Sequence, residues 1–242
     1  MAYSFENGVL VGQKVKHKTT PNKNSNGTCR PEIIVIHDTA SSLNTKGVVD
    51  WLCNPTANVS ATFVIGRDGE IWQLALPTEK TWHTGKSKYE GFNVGGTCNS
   101  FAVGIEIVNP GWLIDGRDGF AYHSASRSIK WPVSEVVKMD APSHTEKGRY
   151  WLPYTPEQVI AVKELCEALV HSYPQIHDIV PHWQISPGRK QDTNPLYPLR
   201  DLRLAVFPDY ESEEEDTTEE TKEPNSVTVE KEDDYTHYTI SR

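Results

Sequence analysis

No apolar run in this 242-residue sequence approaches the roughly 18 residues that a membrane-crossing helix needs, so an integral membrane protein is excluded. The opening stretch, MAYSFENGVLVGQKVK, lacks a basic segment followed by an apolar one, and no secretory signal is recognisable in it. Cysteine is sparse. Cys29, Cys53, Cys98 and Cys166 are scattered without a C-x-x-C pair, which argues against a thiolate metal cluster or a thioredoxin-type redox site. Their even number permits disulfides without requiring them. There is no G-x-S-x-G element, no Walker loop and no G-x-G-x-x-G fingerprint, so serine hydrolase, nucleotide and dinucleotide readings lack support.

Excess positive charge is missing as well. The chain's net charge of −9 is uneven: residues 208–242 hold 13 of the 33 acidic residues and only 3 of the 24 basic ones. The remaining 20 acidic and 21 basic residues leave 1–207 at +1, without the basic footprint of a nucleic-acid binder. The acidic stretch, with few apolar residues and a dense like-charge run, predicts a disordered, solvating tail. Tyr235, Tyr238 and Ile240 leave a docking arm as the alternative.

What is present reads as one domain over 1–207. A polar arm, 1–31, precedes Glu32-Ile-Ile-Val-Ile-His37, a β-branched run expected to be a buried strand ending in a histidine. Thr45–Cys53 has helical apolar spacing at Val48, Val49 and Leu52, and Asn54-Pro55 stops it. Ala61–Ile65 and Glu70–Leu76 flank Gly66-Arg67-Asp68-Gly69, a hairpin signal. Phe101–Val108 is a further strand with Glu106 inside it. Residues 109–153 show no sustained period and read as a long loop or insertion. Thr155-Pro156-Glu157-Gln158 opens a helix that ends before Pro174, and Ile179–Val180 is a short strand. The predicted class is α/β, with a mixed central sheet flanked by helices.

Three polar residues stand where structure alone favours something else: His37 at a strand end, His182 after an apolar stretch, and Asp192 ten residues later in a loop containing Pro187 and Gly188. Two imidazoles and a carboxylate suit zinc with a fourth position left for water. With nine histidines in the chain, spacing alone does not single these out.

The segments IVIHDTA (34–40), NVSATFVIGRDGEIWQL (58–74), TWHTGKS (81–87), NSFAVGIEIVN (99–109), YTPEQ (154–158) and HWQISPGRKQD (182–192) resemble, in order and character, the zinc-dependent N-acetylmuramoyl-L-alanine amidases of type 2. That family includes phage endolysins, muropeptide-recycling amidases and peptidoglycan-recognition proteins. The resemblance covers roughly residues 30–200, and H-x-x-I-S-P-G-R-K-x-D is its most specific piece. It implies a single amidase-like domain in which His37, His182 and Asp192 bind Zn2+. It likewise implies that Glu106 is the acidic catalytic residue, Lys190 the cationic one, and Trp82 and His83 line the substrate groove. Gln184, where relatives often carry an acid, and Pro181, where they often carry glycine, are departures that remove no ligand.

Chemistry agrees with these roles. A carboxylate in an apolar strand has a raised pKa suited to proton transfer, and a lysine beside the metal stabilises an oxyanion. His17, His123, His144, His171, His177 and His237 lack motif support and read as surface or packing residues. The expectation is a monomeric hydrolase of the bond between N-acetylmuramic acid and L-alanine, acting on peptidoglycan or muropeptides. The first choice is a phage-type lytic enzyme, made in the cytoplasm and reaching the wall through a holin or a secretion route. A recycling amidase of soluble muropeptides and a non-catalytic peptidoglycan-binding module are the alternatives.

Overall fold

A computed structural model describes residues 2–91, 96–141 and 148–208, together with the backbone of 227–232 and 235–240. The N-terminal arm is not without structure. It forms a hairpin of β1 (Tyr3–Glu6) and β2 (Val9–Gly12), then β3 (Val15–His17) and β4 (Lys23–Thr28). The central elements follow as β5 (Ile33–Asp38), α1 (Thr45–Leu52), β6 (Phe63–Ile65), β7 (Ile71–Gln73), β8 (Glu79–Thr81) and β9 (Ala102–Ile107).

In the 109–153 stretch the expected loop is replaced by β10 (Trp112–Asp115), β11 (Phe120–His123), β12 (Ser126–Pro132), β13 (Val137–Met139) and β14 (Arg149–Trp151). These form an antiparallel five-stranded sheet in the order β12-β11-β10-β14-β13. The reason it was hidden is physical. Leu113, Ala121 and Trp131 point to a small core, but the other face is also aromatic. There Lys130 lies 3.8 Å from the Phe120 ring centroid and Arg149 lies 4.2 Å from that of Trp112. Apolar residues on both faces erase the alternation by which short strands are recognised.

Downstream come α2 (Pro156–Ser172), β15 (Asp178–Pro181), a single turn α3 (His182–Ile185) and α4 (Leu199–Val206). In the acidic tail β16 (Val227–Glu232) pairs antiparallel with β17 (Tyr235–Ile240). The rest of the tail read as disordered, 209–226, 233–234 and 241–242, lies outside the described residues, as do His144 and the side chain of His237.

The central sheet is mixed, as its class predicted, in the order β15-β5-β9-β6-β7-β3. β15, β5, β9 and β6 run parallel to their neighbours, β6–β7 is the antiparallel hairpin read from Gly66–Gly69, and β3 adds parallel to β7. Strand residues alternate between faces. Ile34, Ile36, Val103, Ile105 and Ile107 face α2, whose Val162, Leu165 and Leu169 complete the larger core. Ile33 and Val35 look the other way, as do Val64 and Val108, against α3 and α1 respectively. All of Ile33–Ile36 is shut from solvent, and each such side chain contributes about 1.5–3 kcal/mol on burial. Thr155 caps α2 through the backbone N–H of Gln158, whose amide returns to Thr155. The face opposite α2 is the one on which the chemistry sits.

Candidate metal centre

His37 is the fifth residue of β5, so it projects from the same face as Ile33 and Val35. Its cross-strand partner on β9 is Glu106, two residues beyond Gly104 on that face. At the far edge of the sheet β15 ends in Pro181, and His182 starts α3 immediately after it. The loop beyond folds back so that Trp183 N–H donates to the Asp192 carbonyl. His37, His182 and Asp192 therefore meet, their ligating atoms all within 4.8 Å of one another. The Nδ1 atoms of the two histidines are 2.9 Å apart, and Asp192 Oδ2 is 3.1 Å from that of His37 and 2.9 Å from that of His182.

Which of these nitrogens carry protons follows from their other neighbours. His182 Nε2 lies 3.1 Å from the Thr84 carbonyl, to which it must donate. Among the described residues the competing contact is Arg189 Nη2 at 3.5 Å, and that group already donates to Thr84 O at 2.6 Å and Ser186 Oγ at 2.7 Å. His83 Nε2 lies 3.1 Å from the Ala102 carbonyl and donates there, which leaves His83 Nδ1 as the acceptor for His37 Nε2–H at 3.0 Å. Both Nδ1 atoms facing Asp192 thus bear lone pairs. With both rings neutral, three acceptors converge there. That donor set fits a divalent cation that takes neutral imidazole and ionised carboxylate.

Burial and the neighbouring His182 push the His37 imidazole down to about 4. Burial raises Asp192, but the His182 and His37 rings that face it prevail and hold it well below the usual carboxylate range. Glu106 is different. Burial, reinforced by the negative fields of Asp192 and Asp38, raises it to about 8, and Lys190 opposes this. The residue keeps some surface, yet its Oε2 is shut off without a hydrogen-bond partner among the described residues. Lys190 extends its field over both His37 and Glu106.

The remaining predicted residues lie nearby. Trp82 is half-buried, with its indole N–H donating to Asn24 Oδ1 at 2.7 Å. His83, expected on the groove wall, is only 8% exposed and turns its ring to His37 and Ala102. Sequence reasoning missed three supports. Asp38, the residue after His37, points to the opposite face, accepts from Tyr154 Oη and holds the Asn194 N–H at 2.8 Å, anchoring the strand to the Asp192 loop. Asn99 Oδ1 takes the backbone N–H groups of His83 and Thr84. Arg189 clamps the Thr84 and Lys86 carbonyls. Their signal was weak because each acts largely on backbone groups, which leave no mark in the sequence. His17, His123 and His177 contact backbone carbonyls away from this cluster. All four cysteines are free.

A mixed α/β sheet that gathers two imidazoles, a carboxylate and a glutamic acid on one face defines a domain with a donor set of the kind that can hold a metal ion. The N-acetylmuramoyl-L-alanine amidase family profile matches residues 27–195, and the chain belongs to that family. Among curated relatives, the Escherichia coli 1,6-anhydro-N-acetylmuramyl-L-alanine amidase AmpD is 30% identical over 149 residues, 61% of this chain and 58% of its own. The Escherichia coli amidase AmiD is 27% identical over 143 residues, 57% of this chain and 40% of its own. The match thus spans about half the length of these relatives. In fold, an AmpD crystal structure superposes with a TM-score of 0.53 at 24% identity, covering 83% of this chain and 98% of that one. AmiD in complex with an anhydro-N-acetylmuramic acid tripeptide gives 0.52 at 22% identity, covering 84% and 65%.

Proposed function

We propose that the chain is a zinc-dependent amidase that hydrolyses the bond between N-acetylmuramic acid and L-alanine. The observation that carries this reading is the convergence of His37, His182 and Asp192 beside the Glu106 carboxyl, whose Oε2 is shut off without a partner among the described residues. His37 Nδ1, His182 Nδ1 and Asp192 would hold the zinc, whose chemistry is to make a water acidic enough to ionise near neutral pH. Glu106 takes the proton of the attacking water and passes it to the departing amine of L-alanine. Its burial makes it a strong base once ionised. The Lys190 ammonium offsets the negative charge that develops on the amide oxygen. Trp82 is assigned to the rim that receives the glycan or stem peptide.

Two substrate readings compete. The 1,6-anhydro-N-acetylmuramyl group in AmpD's name favours an anhydromuropeptide fragment over the wall polymer attacked by a lytic enzyme, and we adopt the soluble fragment as the first substrate to test. Among the described residues no helix is long and apolar enough to cross a membrane. The test compares a soluble muropeptide with purified sacculi, each with and without chelator, with products read by mass for a free L-alanine amino terminus. Chelator-sensitive cleavage of the soluble fragment alone supports this reading. Release from sacculi restores the lytic one. Zinc binding and retention on sacculi without cleavage of either would make the protein a binding module.

A further inference from the structure

The segment after β8 does more than border the site. His83 and Thr84 are consecutive, and each contacts the rear nitrogen of a different metal-binding histidine. Neither ring nitrogen on that side contacts Asp192. A histidine has one proton to place when neutral, so whatever accepts at Nε2 forces the lone pair to Nδ1. We infer that the His83–Thr84 pair sets the tautomer of both metal-binding histidines: His83 Nδ1 receives the His37 Nε2 proton, and the Thr84 carbonyl receives that of His182. His83 is thereby a positioning residue. The inference rests on the amidase reading only for the identity of the metal.

Several contacts hold the bracket in place. The His83 ring lies flush on β9, where a Cβ added to Gly104 would come within 2.6 Å of its Cγ and Nδ1. The Ala102 carbonyl takes the far proton of the same ring, so His83 has only Nδ1 left to offer. Asn99 Oδ1 fixes the backbone of both residues at 3.2 and 2.9 Å, and also accepts from Thr84 Oγ1 at 2.9 Å. Arg189 donates to the Thr84 carbonyl, which orients that acceptor. A single short segment therefore aims two ligands that come from opposite ends of the chain.

The experiment uses the full chain and two substitutions. His83→Phe keeps the ring shape without an acceptor, whereas His83→Asn places an amide oxygen near the Nδ1 position. Zinc affinity is measured by competition with a chromogenic chelator. Loss of an outer hydrogen bond to a metal histidine weakens binding by about 10–100-fold, and that loss is expected for His83→Phe. His83→Asn should remain within about threefold of the parent, a margin well inside that effect. Parent-like affinity for His83→Phe would overturn the inference, as would equal losses in both variants, since shape alone would then account for them. Ring-nitrogen NMR of the metal-free parent provides a second readout that survives a folding failure of either variant. It should show protons on Nε2 of His37, His83 and His182, and a proton on Nδ1 of His83 overturns the inference. A parent that binds no zinc refutes the amidase reading instead, and the tautomers still decide this one.

Discussion

Replacing Glu106 with glutamine separates catalysis from stability, because the structure expects the two to move in opposite directions. In the folded, metal-free protein the carboxyl is raised from its ordinary 4.5 to about 8. Between those values the unfolded chain has released the proton while the folded one keeps it. Stability supplied below pH 4.5 is therefore lost as pH rises, by about 1.4 kcal/mol per pH unit, until the loss levels off near 8. At pH 7 the accumulated loss is about 3 kcal/mol, an upper value because residual solvent softens it. Glutamine has the same shape and does not titrate. Metal-free Glu106→Gln should thus be more stable than the parent at pH 7 by up to about 3 kcal/mol, with the gain shrinking toward zero near pH 4.5. A bound cation favours the ionised carboxylate, so the gain narrows when zinc is present. Turnover of the soluble muropeptide should fall by about 10²–10⁴-fold with zinc content unchanged. Urea denaturation in chelator at several pH values and mass detection of free L-alanine termini provide the two readouts. An unchanged rate would remove Glu106 from proton transfer. A variant less stable than the parent at pH 7 would show that the carboxylate is already ionised and paired, and the burial argument would fail.

Two further outcomes follow from packing. Gly104→Ala places a methyl carbon against the His83 ring, and is expected to cost about 1–3 kcal/mol and to weaken zinc binding in parallel; calorimetric melting together with chelator competition checks both, and unaltered zinc affinity would show that the ring tolerates displacement. Truncation after residue 208 is expected to leave the domain's melting temperature and zinc content unchanged, since the core and every proposed ligand lie before it. A drop beyond about 2–4 °C, the equivalent of ~1 kcal/mol for a domain of this size, would show that the tail supports the fold.

Parts of this architecture were legible because local chemistry and global placement agree. The run Ile33–Ile36 can satisfy its hydrophobicity only in a strand covered on both sides, and Thr155-Pro156-Glu157-Gln158 announces a helix start by chemistry that needs no partner. The grouping of His37, His182 and Asp192 was legible through the resemblance, because Lys190 and Asp192 sit at fixed distance from His182. By contrast, β10–β14 rely on cross-strand pairing and on cations covering aromatic rings, neither of which is local. α4 escaped notice because only Leu202 and Val206 are deeply buried along it. Asp38, Asn99 and Arg189 were missed for a related reason: they hold backbone groups of distant segments, and such contacts have no sequence signature.

The wide separation of the ligands bears on when the site comes into being. His37 and His182 are 145 residues apart, and β15, which delivers the second, touches the central sheet only along β5. Closing a loop of that span is entropically unfavourable until the intervening sheet has formed. On the proposed zinc reading, the metal would not seed this fold in the way it seeds a small finger, where the ligands are near neighbours in the chain. A nascent chain not yet extended to residue 182 would carry β5 and β9 but only one of the three proposed ligands. Tight metal capture would then mark the last act of assembly, and its rate would time the docking of the sheet's final edge strand.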